Sequence, residues 1–66
     1  MIPMLTDAER ARFVAFLIEE SASFNGRAEE MAALPGHERY AQHSRERAAA
    51  YLFVARDLEG VETVRA

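Results

Sequence analysis

Paired histidines and carboxylates are the residues of this chain that could do chemistry. His37 and His43 stand six positions apart, which puts them on different faces of a helix. Two metal ligands on one helix need spacings of three or four. Glu38 and Gln42 lie nearby, yet no combination closes a ligand set, so the expectation is two solvated or hydrogen-bonded histidines and no metal site. Glu19-Glu20 and Glu29-Glu30 invite comparison with carboxylate-bridged di-metal bundles. Those bundles also need inward-facing Glu-x-x-His motifs, and none is present. The acidic pairs therefore read as solvated faces. There is no Gly-rich phosphate loop, nucleophile elbow or triad spacing. The expectation is a protein with no catalytic residues and no cofactor, and not an enzyme.

Arg39, Arg45 and Arg47, with the two histidines, make one stretch mildly basic, but Glu38 and Glu46 dilute it. Tyr40 is the single aromatic ring of Phe, Tyr or Trp type in that stretch and no groove-reading motif accompanies it, so a nucleic-acid role ranks last among the readings. The net charge is −3, with both signs interspersed, which argues against a polyelectrolyte partner. Cysteine is absent, so disulfides and thiolate metal sites are excluded. Met1 to Leu5 carry no basic segment ahead of a long apolar run, and apolar runs such as Phe13 to Ile18 are far short of the ~20 residues that span a bilayer. The expectation is a cytoplasmic protein with no membrane partner.

The elements that hold these residues are helices. From His37 to Val61, Ala41, Ala48 and Ala55 recur every seven residues, each followed three positions later by Ser44, Tyr51 and Leu58. In heptad terms the alanines are a and the larger residues d, with Tyr40, Arg47, Val54 and Val61 at g. A seven-residue repeat keeps one stripe facing a partner, and Ala at a lets that partner come close. Alanine is also the best helix former, so one alanine alone would mean little. The first half repeats the scheme, with Val14, Ser21 and Ala28 at a, Leu17, Phe24 and Met31 at d, and Phe13, Glu20, Arg27 and Leu34 at g. Thr6-Asp7-Ala8-Glu9 has the form of a capping box, which starts this first helix.

Asn25-Gly26 is a common turn dipeptide. Its helical phase nevertheless continues, because Phe13, Leu17, Phe24, Ala28 and Met31 stay on one face across the glycine. A single helix over about 7–33 is expected. Leu34-Pro35-Gly36 breaks it, and a second helix over about 37–60 follows, with residues 61–66 frayed. A loop this short forces the two helices antiparallel. The fold expected is all-α, a two-helix hairpin with an Ala-rich, coiled-coil-like seam and a single domain over residues 1–66. Chains of this size bury only about 60% of their unfolded surface and commonly oligomerise.

A hairpin seam needs a narrow stripe, and this chain carries more apolar residues than that. Phe13, Phe16, Ile18, Leu52, Phe53, Val54 and Val61 fall beside or outside it and form the candidate interface. Apolar patches on small proteins mark contacts. Self-association into a dimeric four-helix bundle is the first expectation. An inhibitor or adaptor that grips another protein through Phe16, Ile18, Leu52 and Phe53 is the second. Glu20, Arg27 and Arg47 border the seam, either as a flanking ion pair or as the charges that set register and partner.

Leu5 to Phe13, the Leu34-Pro35-Gly36 break and the run Ala48 to Leu58 (AAAYLFVARDL) together resemble small uncharacterised helical proteins of bacteriophages and prophages from GC-rich bacteria. The exclusive use of Arg over Lys, with many Ala, fits such a source. The resemblance implies an accessory phage protein, oligomeric and acting on a host or phage protein, and it assigns no catalytic residue.

Overall fold

The computed structural model describes residues 4–64. They form two α-helices, α1 (Asp7–Ala32) and α2 (Glu38–Glu59), packed along their length as a hairpin 50 × 17 × 16 Å in extent. Helix α1 begins with the capping box. Thr6 is extended (φ −79°, ψ 163°), its hydroxyl accepts from the Glu9 N–H at 3.1 Å, and the Glu9 carboxylate accepts from the Thr6 N–H at 3.1 Å. Two orphan amide donors are satisfied this way. Asp7 and Glu9 also oppose the positive end of the helix dipole.

Helix α1 runs through Asn25-Gly26 without a break. A methyl group built on Gly26 would meet nothing within 4 Å, so this glycine faces open space and leaves packing untouched. The chain turns after Ala33, and Gly36 supplies the one positive φ among the described residues, +83°. Only a residue without Cβ takes that conformation at no steric cost.

The fully buried set is Ser21 and Ala28 from α1 with Ala41, Ala48 and Ala55 from α2. All are a positions, and all are small. The larger d residues (Leu17, Phe24, Met31, Tyr51 and Leu58) are half-buried at the seam's edge. Small residues at a therefore set the approach of the helices, and the d side chains close over the gap. The Ser21 Oγ donates to the Ala48 carbonyl at 2.8 Å, which pays for burying a hydroxyl in the seam.

The segment after α2 departs from expectation. Gly60 ends the helix, and residues through Val64 fold back beside the start of α1 rather than fraying. The Val64 N–H donates to the Leu5 carbonyl at 2.9 Å, and Thr6 and Val64 form a parallel β-bridge. The Arg10 guanidinium donates to the carbonyls of Glu59 (3.3 Å) and Val61 (2.8 Å), which helix termination leaves open. Thr63 donates to the Asp7 carboxylate. The part of the expected fraying that falls on Arg65 and Ala66 lies outside the described residues.

Candidate interaction surface

With the seam filled by small residues, the larger apolar side chains are displaced onto the flanks. Among them Phe13, Phe16, Ile18, Phe53, Val54 and Val61 are exposed, whereas Leu52 is half-buried. The antiparallel register is fixed by the Ser21–Ala48 hydrogen bond and by the stacking of Phe24 on Tyr51 (centroids 5.5 Å apart, planes at 14°). In that register the g residues of both helices share one flank: Phe13, Glu20 and Arg27 from α1, and Tyr40, Arg47 and Val54 from α2, with Leu34 and Val61 just past the ends of the two helices. Ile18 and Leu52 lie on the opposite flank. Phe53 points away from the seam.

The seven candidate interface residues are thus not one patch. Phe13, Phe16, Val54 and Val61 gather toward the end of the rod away from the loop, on the g side. Two open hollows occur on that side, one lined by Glu9, Arg12, Phe13 and Phe16, the other by Arg47, Ala50, Tyr51 and Val54. Leu34 and Tyr40 extend the same flank at the loop end, and both are exposed. Neither is among the seven candidate residues, although both are as exposed as those.

The centre of this flank is charged and aromatic. The guanidinium carbons of Arg27 and Arg47 sit 5.3 and 5.9 Å from the centroid of the Phe24 ring. The negative face of the ring draws both cations, which would otherwise repel each other. Glu20 forms no ion pair with either arginine among the described residues, so the flanking salt bridge is not made within one hairpin. The ion pair found is Asp7 with Arg10, at 3.6 Å.

The histidines do not converge. His37 is the residue before α2, where its side chain makes no capping bond. Its Nδ1 is enclosed without a hydrogen-bond partner, and its ring lies 5.9 Å from that of Tyr40. His43 is exposed on α2. Among the described residues no cluster of three or more His, Cys, Asp or Glu side chains is placed to hold a metal ion. No described helix is long and apolar enough to cross a membrane. No protein-family model, curated protein or solved structure matches the chain.

Proposed function

We propose that this is a non-enzymatic helical hairpin that self-associates and serves a structural or protein-interaction role, in keeping with a small cytoplasmic phage accessory protein. The observation that carries the reading is the division of labour in its apolar residues. The seam consumes Ser21 and four alanines, while Phe13, Phe16, Val54 and Val61 stay in water on one flank. Burying a side chain of that size contributes roughly 1.5–3 kcal/mol. Association is the means by which a two-helix chain can gain that stabilisation, and closed two-fold dimers are the commonest result. Light scattering across a dilution series tests this. A dimer or tetramer is the expected outcome, and a monomer at every concentration refutes it.

A second reading, a hairpin that binds and inhibits or adapts another protein, is favoured by Phe53. This ring is 67% exposed on the side away from the seam, and Ile18 lies on the flank opposite Phe13. A dimer built on the Phe13 side would leave both free. Under this reading Phe53→Asp abolishes capture of the partner while the circular dichroism of the hairpin and its mass stay unchanged.

A further inference from the structure

The residues spaced by seven along the flank have an order that meets its own charge complement when reversed. Phe13, Glu20 and Arg27 on α1 are spaced by seven, so each step is about 10 Å along the helix, and Leu34 follows in the turn just past its end. The order is apolar, acid, base, apolar. We propose that two copies of the chain pair along this flank, α1 against α1 and antiparallel, about a two-fold axis midway between Glu20 and Arg27. The inference rests on the self-association proposed above and specifies its geometry.

Under that axis Glu20 faces the partner's Arg27, and Arg27 faces the partner's Glu20. Phe13 meets the partner's Leu34 at one end, and the same contact repeats at the other. Helix α2 reinforces the arrangement. Arg47 lies beside Arg27, since both cap the Phe24 ring, so the incoming carboxylate meets two guanidinium groups. Tyr40, 66% exposed, sits at the Leu34 end, and reversal brings it toward the partner's Phe13. A parallel, in-register pair would instead set Glu20 on Glu20 and Arg27 on Arg27, which like-charge repulsion disfavours.

The charges within one hairpin agree with this assignment. Glu20 has no cationic partner in its own chain among the described residues, while two arginines crowd the ring of Phe24, one turn further along α1. Each lacks what the reversed copy supplies. The other flank offers no such order, because its α1 positions are Ala11, Ile18, Asn25 and Ala32.

Charge reversal tests the axis. Glu20→Arg alone leaves only arginines at the centre of its own dimer, from positions 20, 27 and 47 of each copy, and Arg27→Glu alone sets glutamate against glutamate at both α1 contacts, with one Arg47 from each copy left to offset them. Each is expected to raise the dimer dissociation constant by roughly tenfold or more while leaving circular dichroism unchanged. An equimolar mixture of the two variants restores opposite charges at both contacts, and is expected to dimerise at least as tightly as the wild type. As an independent measurement, Phe13→Cys and Leu34→Cys chains, oxidised together, are expected to form a disulfide between the two variants and little within either. If the wild type dimerises but the charge variants are indifferent, or if Phe13→Cys cross-links to itself, the antiparallel axis is wrong and self-association stands. If the wild type is monomeric at every concentration, self-association itself fails and the axis with it.

Discussion

The two ends of the rod are closed by different means. At the loop end the chain itself joins the helices, and the hydrogen bonds there are all local, among them the Gly36 N–H donating to the Glu38 carboxylate at 3.4 Å. His37 opens α2 without a side-chain cap (φ −106°, ψ 13°), and its Nδ1 is unpaired. At the open end no covalent link exists, and the polar contacts are dense. The capping box, the Arg10 contacts to two terminal carbonyls and the Leu5–Val64 bond all fall within one turn of each other. Where connectivity holds two helices together, capping can lapse. Where it does not, side chains must supply the tie.

A substitution belonging to neither end should have the largest effect. Ala48 is 1% exposed in the middle of the seam. Ala48→Leu forces the helices apart and should destabilise by about 3 kcal/mol, with both ends opening together in urea melts. Next comes the loop end. Gly36→Ala places a Cβ at φ +83° and should cost about 1–2 kcal/mol by thermal denaturation. Gly26→Ala, in open space on a helix, should instead stabilise by about 1 kcal/mol. If the two glycine variants shift stability in the same direction, the loop does not depend on that backbone conformation.

The open end should respond less, and with a pH signature. Thr6→Ala removes the cap and should cost about 1 kcal/mol. The Thr6 N–H donating to the Glu9 carboxylate, followed by the hydroxyl contact to the same residue, holds the Glu9 pKa below its ordinary value. A carboxyl whose folded pKa is lowered contributes stability that is present above its unfolded pKa and lost as pH falls through the folded one. The wild type should therefore lose stability across the acid side of the ordinary carboxylate range, and Thr6→Ala should show a shallower loss, measured by melts at successive pH values. Arg10→Met should have the smallest global effect, about 0.5–1 kcal/mol, because its bonds are partly solvated. Its local effect should be clear, as faster amide hydrogen exchange in the last turn of α2 with the loop end unchanged. Equal acceleration at both ends would erase the contrast between them.

What was legible in the sequence follows from how local its cause is. The capping box is written in four consecutive residues. The small a positions recur at a fixed period, and the break at Leu34-Pro35-Gly36 depends on residues in contact along the chain. Continuity through Asn25-Gly26 was legible because helical phase on both sides outweighs one turn-forming dipeptide. The long-range polar contacts were not. The acceptors of Ser21 and Arg10 are backbone carbonyls at Ala48, Glu59 and Val61, and a carbonyl has no residue-type signature. The return of residues 61–64 depends on those same carbonyls. The flanking charges were placed correctly at g, yet Arg27 and Arg47 turn to Phe24 rather than to Glu20. Leu52 was placed on a flank, but it sits close enough to the seam to be half covered.

The Leu5–Val64 bond also has a mechanical meaning. Both strands of the chain leave the hairpin at the same end, so tension applied through them would act across the rod and not along it. The load would fall first on that bond and on the Arg10 tie, then on Val14 and Leu58, then on each layer toward the loop. Such a structure is peeled open one layer at a time at low force, and it closes again from the loop, which stays joined throughout.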